Sequence, residues 1–171
     1  MQRKLLVALG NPGKRYTHTR HNAGWLWVDH HFGSDDYEFN KYGNYNFKHA
    51  TKNDVDYIVI KPLTFMNDSG TAVAYAMRQF GVTNSDLIVI HDDVDLEIGE
   101  FKYSCARGDG GHNGIRSITK QLDSKDYCRL RLGVRPAEVS PQIKADTFVL
   151  NRFRTEELEL LQKISPSSLI G

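Results

Sequence analysis

KLLVALGNPG, residues 4–13, sets an unbroken apolar run against an abrupt stop. Leu5 to Leu9 show no polar alternation, the pattern of a strand covered on both faces, and Gly10-Asn11-Pro12-Gly13 is turn chemistry that ends it. A sheet of such strands needs helices on both sides. DLIVIHD, residues 86–92, repeats the pattern and ends in His-Asp-Asp.

Working outward, Trp25, Val28 and Phe32 recur at helical spacing after Asn22, and Val73, Met77 and Phe80 do so after Asn67, with Gly81 as a stop signal. Residues 44–50 and 55–61 flank Lys52-Asn53-Asp54 and predict a hairpin. A strand near 100–106 leads into a glycine loop, and a helix over 114–122 presents Ile115, Ile118 and Leu122. YCRLRLGV, 127–134, alternates, so Cys128, Leu130, Leu132 and Val134 share one face. Residues 135–144 are polar and predict a mobile loop. Thr155, followed by Glu156 and Glu157, reads as the capped start of a last helix that stops early, in SPSSLIG. This alternation gives an α/β class: one domain over 1–171, with a central mixed, mostly parallel twisted sheet flanked by helices.

The chain has 171 residues, 40% hydrophobic, and a formal net charge of +1, which excludes a disordered or wholly basic protein. Charge is nevertheless uneven. Residues 102–135 hold eight Lys or Arg and three Asp, so the remainder is net negative and any polyanion surface is local. Two cysteines, Cys105 and Cys128, fit no zinc spacing and read as thiols of a reducing compartment. No stretch resembles a signal peptide or a membrane span, so a soluble cytoplasmic protein is expected.

Four loops carry candidate chemistry: GNPG, PLTFMN, HDDVD and RGDGGHNG. Open α/β sheets gather ligands where loops leave the carboxyl ends of strands. Asn22, Asn67 and Asn113 each stand ahead of a helix, where capping is sufficient explanation, and Asn11 before Pro12 suits a turn. His21 stands at a loop-to-helix junction and can serve as a base if Asp92 or Asp93 orients it. No G-x-S-x-G elbow exists and Cys128 lies on an apolar strand face, which disfavours covalent catalysis. Direct attack by water is simpler, with the amides of Asn11, Asn67 and Asn113 holding the attacked group. A metal site built from His21, His91, Asp92, Asp93, Asp95 and His112 is a weaker alternative, since no compact ligand spacing singles it out. The glycines at 108, 110 and 114 fit no dinucleotide fingerprint.

Together GNPG-x-x-Y-x-x-TRHNAG (10–24), PLTFMNDSG (62–70), HDDVDL-x-x-G (91–99), GGHNGIRSI (110–118) and YCRLRLGV resemble bacterial-type peptidyl-tRNA hydrolases, in the family order and over nearly the whole chain. The resemblance implies a monomeric α/β enzyme that hydrolyses the ester between a peptide and the tRNA 3′ end, with no metal and no cofactor. It implies His21 as the catalytic base and Asp92 as its orienting partner. Asn11, Tyr16, Met66, Asn67, His112 and Asn113 become substrate-binding residues, Tyr16 at the 3′-end site, and Asn22 keeps a structural role. Arg131 matches half of the family's phosphate clamp. Ser104 stands where the other basic residue is usual, and Lys102, two residues away on the same strand face, is its substitute. Asp109 is an acid where the pattern has a small or neutral residue, and the C-terminal helical region is shorter than in the pattern. A non-catalytic RNA-binding relative is the competing class; retention of His21, Asp92, Asn11 and Asn113 argues against it.

Overall fold

The computed structural model describes residues 2–166. Its strands are β1 (Gln2–Ala8), β2 (Glu38–Asn40), β3 (Tyr45–Lys52), β4 (Val55–Pro62), β5 (Leu87–Glu97), β6 (Phe101–Cys105) and β7 (Cys128–Arg135). They form one sheet in the order β2-β3-β4-β1-β5-β7-β6. The inner four, β4-β1-β5-β7, are parallel, and antiparallel strands close both flanks. Helices α1 (Ala23–Phe32) and α4 (Thr155–Gln162) cover one face, while α2 (Ser69–Phe80) and α3 (Asn113–Leu122) cover the other.

Alternation along β1 explains its continuous apolar run. Leu5, Val7 and Leu9 enter the core beneath α2 and α3, whereas Leu6 and Ala8 enter the core beneath α1 and α4. Each fully buried aliphatic side chain contributes roughly 1.5–3 kcal/mol, so a strand with two dry faces anchors the sheet from its centre. Gly24 lets α1 settle on that centre: a Cβ there would lie 2.5 Å from the Ile90 carbonyl oxygen. Gly70 does the same for α2 against the Ser117 backbone of α3.

Several details depart from the expectations drawn from the sequence. In α1 it is Trp27, not Trp25, that is fully buried; Trp25 lies under Gly10 and donates to the Ala8 carbonyl at 2.9 Å. β5 continues past His91-Asp92-Asp93 to Glu97, because β7 goes on pairing with it through an irregularity between Asp93 and Glu97. The short β2 carries no sequence signal. Helix α4 has Arg154 as its N-cap, with Glu157 accepting from the Arg154 N–H at 2.7 Å, and Thr155 is its first helical residue. It ends at Gln162, ahead of SPSSLIG, of which residues 167–171 lie outside the described residues. Residues 135–144 are strapped by the Arg135 guanidinium, which donates to the carbonyls of Val94, Ser140 and Ile143.

The reading of Cys105 and Cys128 as unpaired thiols is corrected. The two stand directly opposite each other in the β6–β7 register and form a disulfide. A separation of 23 residues hides this pairing until the antiparallel ladder is formed. No helix among the described residues is long and apolar enough to cross a membrane.

Candidate active site

At the carboxyl ends of the parallel strands, the loops after β1 and β4 meet the second half of β5. The glycine loop arrives from elsewhere. Since β6 runs antiparallel to β7, residues 106–112 start at the opposite end of the sheet and climb across its face. Arg129, on β7 and only 4% exposed, holds this ascent by donating to the Gly108 carbonyl at 2.7 Å. The loop thus delivers His112 to Asp92.

His21 sits in a 3-10 turn, Arg20–Asn22, just before α1. Its backbone is fixed by a neighbouring segment: His21 N–H donates to Val149 O at 2.8 Å and Arg20 N–H to Asn151 O at 3.0 Å. Beneath the turn, the buried Arg20 guanidinium meets the buried Glu157 carboxylate at 2.8 Å, tying the turn to α4. The imidazole then makes one short bond, Nδ1 to Asp92 Oδ2 at 2.6 Å.

Asp92 is 2% exposed and accepts from two rings, the second being His112 Nε2 on Oδ1 at 2.7 Å. The tautomer of His112 follows from its other nitrogen. Nδ1 accepts from the Gly114 and Ile115 backbone N–H groups at 3.1 and 3.3 Å, capping α3, so the proton resides on Nε2. Asp92, having no proton to give, likewise accepts a hydrogen bond from the Nδ1–H of His21 and leaves His21 Nε2 with a free lone pair. Burial alone would lower the His21 pKa, but the charge and hydrogen bond of Asp92 outweigh it and raise it. For Asp92 burial acts upward, and the two histidines overcome it, holding the carboxyl well below the usual range. Burial and the neighbouring His112 hold His91 far below the usual imidazole range, and it turns instead to the Asp92 carbonyl and to Arg129.

None of the three helix-preceding asparagines caps through its side chain. Asn22, fully buried, clasps the GNPG turn: its Oδ1 accepts from Asn11 N–H at 2.8 Å and its Nδ2 donates to Asn11 O at 3.0 Å. Asn11 Oδ1 in turn accepts from Met66 N–H at 2.9 Å, leaving Nδ2 as the amide group available to a ligand. Asn11, Met66, Asn67 and Asn113 line one cleft with His21, rimmed by exposed Phe65 and Leu150. A second cleft lined by Asp92, the 107–113 loop, Arg129 and Arg131 opens from the same histidine.

The remaining expected residues fare differently. Tyr16 is half-buried and stacks with Arg15 rather than lining either cleft. Lys102 does lie opposite Arg131 on one sheet face, and it is exposed. Arg131 is engaged by Asp93 at 2.7 Å and by Ser104 Oγ at 3.1 Å, so its charge is largely matched. Asp109 shapes the loop, accepting from Gly111 N–H at 2.8 Å and facing Arg116 at 3.5 Å. The clasp by Asn22, the cap by His112 and the loop tie by Arg129 escaped the sequence reading. Only the buried polar character of YCRLRLGV, with two arginines on a core strand, hinted at the last of these.

His21, Asp92 and His112 bring one potential ligand atom each within 4.8 Å of one another. Hydrogen bonds already join these atoms, and protonated His112 Nε2 has no lone pair for an ion. Of the other residues weighed for a metal site, Asp93 is paired with Arg131, and His91 is bonded to the Asp92 carbonyl and Arg129. The arrangement suits proton transfer to and from water rather than metal ligation.

A protein-family model described as peptidyl-tRNA hydrolase matches residues 5–169. A peptidyl-tRNA hydrolase of Desulfotalea psychrophila is 44% identical over 164 residues, covering 92% of this chain and 82% of that one. One from Shouchella clausii is 39% identical, covering 96% and 89%. Among solved structures, peptidyl-tRNA hydrolase from Acinetobacter baumannii superposes with a TM-score of 0.80 at 27% identity, covering 92% of this chain and 80% of that one.

Proposed function

The chain belongs to the peptidyl-tRNA hydrolase family, and from that premise we propose that His21 is the general base of a metal-independent ester hydrolysis. The enzyme hydrolyses peptidyl-tRNA. The observation that supports this assignment of roles is the Asp92 carboxylate held at 2.6 Å from His21 Nδ1, with Nε2 left free where two clefts meet.

In this reading His21 Nε2 takes a proton from water as its oxygen attacks the ester carbonyl. The developing imidazolium is stabilised by Asp92, and the carbonyl oxygen by amide donors from the Asn11, Asn67 and Asn113 set. Collapse of the tetrahedral intermediate breaks the bond to the ribose oxygen, which receives the proton back from His21. Free tRNA and a peptide carboxylate leave. His112 keeps Asp92 from rotating, and Met66 supports the amide row. Lys102 and Arg131 meet phosphate, and Tyr16 lies at the approach of the 3′ end. All these groups come from one chain, which supports action as a monomer, and work in translation supports a cytoplasmic setting.

The test is release of acyl-amino acid from N-acyl-aminoacyl-tRNA, under single-turnover conditions with excess chelator, by the wild type and by His21→Ala. Release that survives chelation and is lost in the variant supports the reading. Release abolished by chelator moves the chemistry to a metal, and no release by the wild type points to an RNA-binding relative.

A further inference from the structure

We propose that the substrate's RNA backbone is also gripped on the side of His21 away from Lys102 and Arg131, by Lys14, Arg15 and Arg152; this rests on the function proposed above. The first 28 residues contain no Asp or Glu. Within them Lys14 and Arg15 stand exposed on a 3-10 turn, Lys14–Tyr16, three residues beyond Asn11. Arg152 joins them from the other end of the chain. It is exposed, bridges to Thr19 two residues before His21, and directs its guanidinium to His18 at 3.5 Å.

Three observations favour phosphate as the partner. Among the described residues, none of these three cations has a carboxylate within ion-pair distance, while Arg3, Lys4, Lys61, Arg116 and Arg131 all do. The acids nearest in sequence to Arg152 are turned away: Glu138, Glu156 and Glu157 gather on Arg154, and Asp146 lines the glycine-loop cleft. Finally, the segments bearing these cations are the ones that build the site. Residues 14–16 follow Asn11, and Val149 and Asn151 hold the His21 turn by backbone hydrogen bonds, so an RNA end lying in the cleft of Asn11, Asn67 and Val149 has these segments for neighbours. Arg15, stacked 4.6 Å over the Tyr16 ring, presents both a cation and a flat surface suited to a single-stranded end.

Each phosphate contact contributes about 0.7–0.9 to the slope of log affinity against log salt. The salt dependence of KM for N-acyl-aminoacyl-tRNA is compared among wild type, a Lys14→Gln/Arg15→Gln/Arg152→Gln variant, and a Lys41→Gln/Lys52→Gln/Arg78→Gln variant whose cations lie on none of the segments that bear Asn11 or hold the His21 backbone. The first variant is expected to lose about 2 from the slope, with kcat within about twofold and unchanged hydrolysis of an N-acyl-aminoacyl ester of adenosine. The second should keep the wild-type slope. Equal slopes in all three, or equal losses in both variants, overturn the proposal while leaving the hydrolase reading intact. A wild type that releases nothing overturns the hydrolase reading itself.

Discussion

His21 and Asp92 exchange one proton position for two consequences, orientation and basicity. Because Asp92 raises the His21 pKa, the neutral base accumulates only above the usual imidazole value of about 6.5. The ascending limb of kcat/KM should therefore have its midpoint above that pH. In Asp92→Asn the carboxylate is gone and burial is left to act, so that midpoint should move to lower pH while the plateau falls; a pH–rate profile shows both. His21→Ala should lose about 10²–10⁴-fold in turnover with its thermal unfolding little changed. The same linkage acts on stability. A histidine with a raised folded pKa contributes fully below its unfolded value and loses that contribution as pH rises through the folded one, so the native state should weaken modestly across that window. Histidine and aspartate at these positions were legible in the sequence because their types carry the chemistry. The roles of Asn22 and Arg129 were not, since each acts on backbone atoms that only folding brings within reach.

Elements reach the site through a few buried polar ties. The Arg20–Glu157 pair joins the His21 turn to α4, and removing one partner leaves the other charge buried and unmatched. Glu157→Leu should accordingly cost about 3–5 kcal/mol in denaturant unfolding, whereas the double change to Met and Leu should recover much of it. β6 is joined to β7 by the Cys105–Cys128 disulfide as well as by its ladder. With the cysteines 23 positions apart, reduction should lower stability by about 3 kcal/mol, read as a shift in unfolding midpoint between reduced and oxidised protein that Cys105→Ser abolishes. The helices and most strands were read from periodicity with small errors at their ends, whereas β2 was missed for want of a signal and β5 runs past its expected end. The cysteine pair was misread, because opposition across a ladder depends on register and not on spacing.

For the molecule as a whole, a sheet with parallel centre and antiparallel flanks sets the loops after β1 and β4 beside the second half of β5 and sends the glycine loop back across a face. Exposed cations stand near the histidine from two directions, Lys102 on β6 and Lys14, Arg15 and Arg152 on the segments around its backbone. The amino-acid sequence by itself determined the α/β class, the apolar strands at its centre, the helices over them, and the residue types of the site, because apolar periodicity and local turn chemistry act over a few neighbours. Only the tertiary structure decided which nitrogen of His21 is free, that none of the three helix-preceding asparagines caps through its side chain, that Arg131 is largely matched by Asp93, and that Cys105 meets Cys128. Each of those depends on atoms far apart in the chain, and hydrogen bonds form at distances of a few ångströms that no linear spacing specifies.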